Sequence, residues 1–275
     1  MARFSAKRCG HMLASRFREF LKNPRTYAAL AYAVIMAAVT TIMFKRLAVS
    51  FSQVFNVFEP FVYFFSNPSL LILPLAGIFM ALCDTAQLSS TSLYMLLRCR
   101  RSEWWAAELL FTVIVIAGFY VIMLLFSMLL VAANSYMKDT WSVFATTSAY
   151  GNTDLSLIAS MYTTPATAAL FTLAFQILHA LALVQITMAI NIATNHNKGA
   201  ALAVAIEIIC YCMSLFDMDW FKPFSIFDRS MLAFNGMNTS MMWQTVAFYA
   251  LIFAAAIAVQ RATLKHHCFT GIKSE

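Results

Sequence analysis

Three polar residues stand inside long apolar runs where such side chains are rare: Glu207, His179 and Gln185. An ionised side chain near the middle of a membrane costs about 2.5–3.5 kcal/mol on insertion scales, so its presence calls for a reason. A carboxylate and an imidazole can carry protons or line a substrate pathway. The same groups can instead hydrogen-bond one helix to another, with Glu207 protonated. Sequence alone leaves both interpretations open.

The connection "TNHNKG" joins the two runs that hold these residues. If it closes a tight antiparallel hairpin of helices, Gln185 and Glu207 lie at similar distances from the turn. His179 then lies about 9 Å further along, at a rise of 1.5 Å per residue. The sequence therefore predicts a Glu207–Gln185 contact in preference to a Glu207–His179 contact.

Composition identifies the elements that position these residues. Of 275 residues, 61% are hydrophobic and 11% charged, far from the balance of a soluble domain. Apolar runs near or above the ~20 residues needed to cross a bilayer predict an all-α membrane protein with six transmembrane helices. The predicted spans are Tyr27–Phe44, Leu70–Ser89, Ala106–Ala132, Pro165–Ala193, Gly199–Phe216 and Met242–Val259.

The basic residues predict the orientation of these spans. Fourteen of the 19 Lys and Arg residues fall in the N-terminal stretch, in the connections after spans two and four, and in the C-terminal tail. The remaining five fall in the connections on the other side. The positive-inside rule therefore places both termini in the cytoplasm. The net charge of +7 then faces membrane lipids rather than nucleic acid.

The chain divides into three parts on this reasoning. Residues 1–26 form a cytoplasmic amphipathic elbow helix, because apolar residues from Leu13 to Leu21 recur with helical spacing between charged ones. Asn23-Pro24 breaks that helix before the first span. Residues 27–260 form the six-helix transmembrane domain, and residues 261–275 form a cytoplasmic tail.

Two connections are unusually aromatic. Between spans one and two, Phe55, Phe58, Phe61 and Phe64 are spaced by three around a proline, which predicts a surface helix or an early start of span two within an aromatic belt. The segment 216–236 is too polar to span a membrane and too aromatic for a solvated linker. It predicts a short re-entrant or interfacial helical segment.

Several kinds of chemistry find no support in the sequence. The seven glycines include no GxxxxGK[ST] phosphate-binding loop, so the chain is not expected to hydrolyse ATP by itself. Neither a nucleophile elbow nor an HExxH motif is present. No cysteine or histidine pair has the spacing of a known metal site. We therefore expect no catalytic residues, no metal and no cofactor bound by this chain.

The stretch "LLRCRRSEWWAAELL" between spans two and three concentrates charge and aromatic surface. Arginines as topology anchors and tryptophans at the headgroup level account for part of this composition. The preceding "QLSSTSLYMLL" continues span two as a plausible helix, so the stretch also predicts a short helical knob in the cytoplasm. A soluble partner could bind such a knob.

These features together resemble those of type-2 ABC exporter permeases. The resemblance is carried by the elbow "SRFREFLKNPRTY", six spans with both ends inside, the turn "RCRRSEWW" and the loop "WFKPFSIF" before span six. It implies a permease subunit that docks on a separate ATP-binding subunit, which binds ATP and Mg²⁺. It also implies a second permease, identical or different, around a central path, and a multi-pass location in the inner membrane of a bacterium.

The resemblance also implies roles for individual residues. Phe17, Phe20 and Arg25 belong to the elbow, and the coupling turn contains Arg98, Arg100, Arg101, Ser102 and Glu103. Two other functions stay open. One is an ion-coupled secondary transporter with Glu207 and His179 as a proton relay, and the other is a membrane immunity or sensor protein that transports nothing.

Overall fold

The computed structural model describes residues 5–83, 101–150, 153–162, 164–194, 196, 198–216, 218–235 and 239–266. The described residues are mainly helical. In chain order the helices are α1 (Ala6–Lys22), α2 (Pro24–Ser50), α3 (Glu59–Ser66), α4 (Pro68–Leu71), α5 (Leu73–Leu82), α6 (Arg101–Val131), α7 (Val143–Thr146), α8 (Thr153–Met161), α9 (Pro165–Thr194), α10 (Gly199–Leu215), α11 (Ile226–Ser230), α12 (Leu232–Asn235) and α13 (Thr239–His266).

Four of these helices, α2, α6, α9 and α13, are long and apolar enough to cross a membrane. They confirm the predicted spans one, three, four and six as apolar helices of spanning length. The fifth predicted span is α10, a shorter apolar helix of 17 residues. The chain therefore has the helical character of a multi-pass membrane protein.

A sharp bend precedes the second predicted span, Leu70–Ser89. The axis bends by 95° between Glu59–Ser66 and Pro68–Leu82. Pro68 disfavours a helical conformation at the residue before it, and Asn67 is extended. The Asn67 side chain then accepts a hydrogen bond of 3.0 Å from the Ser69 backbone amide, which caps the next helix. The part of span two beyond Cys83 lies outside the described residues.

The aromatic connection between spans one and two is packed inside the bundle. Phe55, Phe61 and Phe64 are each only 2% exposed. Their rings therefore do not form an aromatic belt at a membrane surface, and that interpretation is wrong for these three residues. Pro60 lies in the first turn of the short helix α3, whose residues are mostly buried.

The predicted elbow is present at the N-terminus. α1 ends at Lys22 and α2 begins at Pro24, with Asn23 in an extended conformation between them. The Asn23 side chain accepts a hydrogen bond of 3.0 Å from the Arg25 amide, and proline is compatible with the first turn of a helix. The helix α1 packs mainly on α6.

The central helix of the bundle is α9, which contacts α6, α10 and α13. In its most apolar window 61% of the residues are buried, compared with 17% for α13. A polar residue on α9 therefore faces other helices, whereas much of α13 faces outward. This position explains why the polar residues of α9 need partners within the protein.

A buried carboxylate holds the long connection after α6. Glu59 is fully buried and accepts hydrogen bonds from the Asn56 amide (3.1 Å), the Ser142 amide (2.7 Å) and the Ser142 hydroxyl (2.7 Å). Asn56 also donates to the carbonyl oxygen of Lys138 at 2.6 Å. These bonds join the start of α3 to the connection between α6 and α9.

The segment 216–236 contains short helices, as predicted. All five residues of α11 are buried. Arg229 lies among them and donates hydrogen bonds to the Pro223 carbonyl oxygen (2.6 Å) and the Thr245 hydroxyl (3.0 Å). Its guanidinium group also lies 4.7 Å from the ring centroid of Phe248, in a cation–π contact. The segment is thereby packed onto α13.

Candidate functional site

The imidazole of His179 on α9 meets the carboxylate of Glu207 on α10. His179 Nε2 lies 3.1 Å from both Glu207 Oε1 and Glu207 Oε2. The two residues are 0% and 1% exposed. With Glu207 ionised, Nε2 must carry the hydrogen of the contact. The pair places a titratable carboxylate and a titratable imidazole together inside an apolar bundle.

The predicted contact between Glu207 and Gln185 is wrong. The helix α10 begins beside residues that lie before the end of α9, whereas a tight hairpin would start α10 level with that end. The Gly199 amide donates a hydrogen bond of 2.9 Å to the Asn191 side chain. A Cβ atom on Gly199 would lie 2.2 Å from the Thr187 carbonyl oxygen. Gly199 is thus level with Thr187 and Asn191 rather than with the end of α9.

This register brings the pair together. Glu207 follows Gly199 by eight residues, and His179 precedes Thr187 by eight residues. Both helices rise by 1.5 Å per residue, so the two side chains reach the same level of the bundle. The start of α10 beside Thr187 and Asn191, rather than beside the end of α9, is the physical reason for the error in the predicted contact.

Gln185 belongs to a different polar contact, which links three helices. Its carbonyl oxygen and its Oε1 each accept a hydrogen bond of 3.1 Å from Gln260 Nε2 on α13. Gln260 Oε1 in turn accepts a hydrogen bond of 2.6 Å from Trp105 Nε1 on α6. Gln185 and Gln260 are fully buried. The geometry therefore makes Gln185 an interhelical link away from the Glu207 carboxylate.

Two tyrosines that the sequence analysis did not single out lie near the pair. Tyr120 on α6 and Tyr249 on α13 are fully buried, and both interact electrostatically with Glu207. The Tyr249 hydroxyl donates to the Ile226 carbonyl oxygen at 3.0 Å. A buried hydroxyl in an apolar span was the available signal, because such a group needs a partner.

Three buried polar atoms of this cluster have no hydrogen-bond partner among the described residues. They are the Tyr120 hydroxyl, His179 Nδ1 and Glu207 Oε1. Buried polar atoms are nearly always paired with protein, water or a ligand. The cluster thus retains hydrogen-bonding capacity that its own side chains do not use.

A cleft of about 180 Å³ lies between α5 and α10 and reaches Glu207. Its lining is otherwise apolar and consists of Ile72, Leu75, Ala76, Phe79, Val204 and Ile208. The cleft is partly open to the outside of the bundle. Glu207, which is 1% exposed, is thus the ionisable residue that lines a cleft next to the apolar outer surface of the bundle.

A second polar cluster joins α1 to the first turns of α6, and we call it the α1–α6 joint. Glu103 is fully buried and accepts a hydrogen bond of 2.9 Å from the backbone amide of Ser5, the residue that caps α1. Arg16 Nε lies 3.0 Å from Glu108 Oε1. A carboxylate at a helix N-terminus and a largely buried ion pair both hold α1 in one orientation.

Aromatic contacts complete the α1–α6 joint. The rings of Phe17 and Phe20 meet Phe111 edge to face, with centroid distances of 5.1 and 5.2 Å. The Arg16 guanidinium lies 5.6 Å from the centroid of the same Phe111 ring. Burial of these rings supplies apolar contact area, and the edge-to-face geometry adds stabilisation.

The α1–α6 joint also includes a buried thiol. Cys9 on α1 is 5% exposed. Burial raises the pKa of the Cys9 thiol, and the nearby Glu103 carboxylate raises it further. The thiol therefore stays protonated at neutral pH, which makes it a packing group rather than a nucleophile.

The residues expected to contact an ATPase subunit separate into two sets. Phe17, Phe20 and Glu103 contact other parts of this chain at the joint, whereas Arg25 and Ser102 are exposed. Arg101 is the first residue of α6. Arg98 and Arg100 lie outside the described residues. Phe17, Phe20 and Glu103 are thus engaged in contacts within the chain.

Over the described ranges, no group of three or more His, Cys, Asp or Glu side chains is arranged to hold a metal ion. In comparisons with known proteins, no family model matches the chain, and neither does any curated protein or solved structure. Functional inference therefore rests on the geometry of the His179–Glu207 pair, the cleft and the joint.

Proposed function

We propose that this chain is the membrane-spanning permease subunit of an ABC exporter. It moves a hydrophobic or amphipathic substrate, such as a peptide antibiotic, a drug or a lipid, with ATP hydrolysed by a separate subunit. The α1–α6 joint is the observation that carries the proposal. A partner that pushes on the turn before α6 needs a rigid connection to the spans, and the joint supplies one.

The polar contacts of the joint explain how such a force is transmitted. Ser5–Glu103 and Arg16–Glu108 fasten α1 at two points along α6. Phe111 contacts the rings of Phe17 and Phe20 on α1 and lies nearly three turns into α6. Movement of the coupling turn therefore moves α1 and α6 as one body. Through the elbow at Asn23, that movement also reaches α2.

The topology of the proposal is six spans with both termini in the cytoplasm. The spans are α2, α5 with its continuation, α6, α9, α10 and α13. α10 is about 25 Å long, slightly less than the ~30 Å hydrocarbon core, and the short helices that follow it complete the crossing region. The distribution of basic residues supports this orientation.

The partners follow from the chemistry that the chain lacks. A P-loop is missing from the sequence, so ATP and Mg²⁺ bind to an ATP-binding subunit in this proposal. The basic residues of α1, among them Lys7, Arg8, Arg18 and Lys22, are exposed and suit anionic lipid or an acidic surface of the ATPase. A second permease, identical or different, completes the transport path.

Purification of the complex tests this proposal. The tagged chain is extracted from its native membrane in mild detergent, and the co-purifying proteins are identified by mass and assayed for ATPase activity. We expect a stoichiometric P-loop ATPase that is lost in the double variant Arg98→Glu/Arg101→Glu. A matched control, Arg46→Glu/Lys138→Glu, makes the same charge change at exposed positions on the proposed outer side and should retain the ATPase.

Two outcomes would contradict the proposal. A folded chain that purifies without any ATPase, or an ATPase retained equally by both double variants, contradicts docking at the coupling turn. In the first case the arginines act as topology anchors only.

A second candidate function is a proton-coupled carrier, which the 3.1 Å contact between His179 and Glu207 favours. In that function the pair exchanges protons with the substrate pathway. The chain alone, reconstituted in vesicles with a pH-sensitive dye, would then move protons when substrate is added. Glu207→Gln would stop this movement. Proton movement that needs ATP and a partner subunit would exclude the carrier.

A further inference from the structure

The cleft between α5 and α10 combines apolar walls with one buried acidic group. Leu75 and Phe79 line it from α5, and Val204 and Ile208 line it from α10. Glu207 is the charged residue of the lining and lies about 12 Å along α10 from its first residue. A molecule in the cleft would therefore contact hydrocarbon on its sides and a carboxylate at one point.

Glu207 has capacity to bind a donor from outside the protein. The residue is 1% exposed, and the hydrogen bond of His179 Nε2 goes to its Oε2. Oε1 lies 3.1 Å from the same nitrogen but accepts no hydrogen bond among the described residues. The apolar lining offers no other polar side chain to satisfy this oxygen. A charge-assisted hydrogen bond to a guest would satisfy it, and such bonds are about twice as strong as neutral ones.

The charges near Glu207 select the sign of that guest. Tyr120, Tyr249 and Cys210 interact electrostatically with Glu207, and groups of these types are ordinarily uncharged at neutral pH. Among the described residues, Glu207 forms its ion-pair contact with His179. A carboxylate in apolar surroundings attracts a cationic head group, binds a neutral one more weakly and repels an anionic one.

The size of the cleft indicates how much of the guest it encloses. Pockets that enclose drug-sized ligands have volumes of about 300–1,000 Å³. The cleft, at about 180 Å³, holds a head group and the first part of a chain. The remainder of the guest must stay outside, where the exposed faces of Val204 and Ile208 meet the bilayer. The guest is thus amphipathic.

We propose that this cleft binds the ammonium head of a cationic amphiphile that enters sideways from the bilayer, with Glu207 as its counter-ion. The assignment of this amphiphile as the transported substrate rests on the proposed function. Binding itself needs neither ATP nor a partner subunit. Glu207 is then a specificity-determining residue, and His179 is the group that holds its carboxylate in place.

The test uses the purified chain in phosphatidylcholine nanodiscs. The probe is dodecylammonium with a photoreactive diazirine on its alkyl chain, and the same chain with an alcohol or a carboxylate head serves for comparison. We expect the ammonium probe to label peptides of α5 and α10. Its half-saturating concentration should be at least about tenfold lower than that of the alcohol, as one charge-assisted hydrogen bond implies.

Three variants separate the head group from the walls. Glu207→Gln keeps the size of the side chain and should raise the half-saturating concentration of the ammonium probe to that of the alcohol. Val204→Trp fills the mouth of the cleft and should reduce labelling by all three probes. Leu202→Trp is the matched control on an exposed face of α10 outside the cleft lining, and it should leave labelling unchanged.

Equal labelling by the three probes in the wild-type protein would overturn the proposal, because it would make the cleft a groove for any lipid chain. Labelling outside α5 and α10 would overturn it as well. The wild-type comparison does not depend on whether Glu207→Gln folds. Failure of the proposed function is seen separately. If the chain binds dodecylammonium at Glu207 but purifies without an ATPase, the binding site is supported and the exporter function is contradicted.

Discussion

The Gly199 backbone amide donates a hydrogen bond of 2.9 Å to the Asn191 side chain, and this contact sets the level at which α10 starts beside α9. The absence of a side chain at Gly199 permits the approach, because an added Cβ would lie 2.2 Å from a backbone oxygen. The close approach places Glu207 opposite His179. One glycine thus determines which ionisable groups meet in the bundle.

We predict that Gly199→Ala lowers the stability of the protein by about 1–3 kcal/mol, since the Thr187 carbonyl oxygen cannot yield like a flexible side chain. The control is Gly118→Ala on α6, where a Cβ would meet nothing within 4 Å and where alanine favours the helix. Thermal unfolding in nanodiscs measures both variants. Equal midpoints for both would show that the close approach of α10 to α9 is not required.

A second prediction concerns the buried pair. His179→Leu leaves the Glu207 carboxylate buried without its partner, which costs about 3–5 kcal/mol. The double variant His179→Leu/Glu207→Leu replaces the pair with apolar side chains and should be more stable than His179→Leu alone. A double-mutant cycle based on thermal unfolding gives the coupling energy. Additive effects of the two single substitutions would contradict a direct interaction.

The aromatic part of the α1–α6 joint leads to a third prediction. Phe111→Ala removes the ring that Phe17 and Phe20 contact, so α1 should detach from α6 more often. We expect faster hydrogen exchange and faster tryptic cleavage in α1, with a stability loss of up to about 3–5 kcal/mol. Leu110→Ala is the control, because Leu110 is 46% exposed beside the same site. Unchanged exchange in Phe111→Ala would show that α1 is held without these rings.

A fourth prediction addresses the Glu59 carboxylate. Glu59→Gln replaces one acceptor oxygen by an amide group, so at least one of the hydrogen bonds from Asn56 and Ser142 is lost. A buried donor left unpaired costs about 1–3 kcal/mol. Hydrogen exchange should increase in the connection that contains Ser142. Asp139→Asn, an exposed acidic residue in the same connection, should cause no such increase.

The sequence was sufficient for the positions of four long apolar helices. Hydrophobicity over twenty or more residues is a local property, and the predicted spans around α2, α6, α9 and α13 agree with the structure. Glu207 and His179 could also be identified, because an ionisable residue in an apolar run is visible without any fold. The end of α1 at Asn23-Pro24 followed from the backbone restrictions of proline.

Other features depend on contacts between distant segments. The phenylalanines before α4 have the spacing of a surface belt, yet Phe61 and Phe64 are buried because α3 packs against α2, α6 and α9. Phe17 and Phe20 were expected to serve a partner, and they pack on Phe111 of their own chain. Nothing in their local sequence indicates which aromatic ring lies opposite.

The sequence by itself determined that this chain is a bundle of apolar helices with a basic amphipathic helix at its start, because helix propensity and hydropathy act within single segments. Only the tertiary structure decided that Glu207 pairs with His179 rather than with Gln185. The register between the two helices depends on where α10 starts beside α9, and the close approach at Gly199 is part of that contact. A shift of six residues along α9, about 9 Å, is invisible to hydropathy and decisive for chemistry.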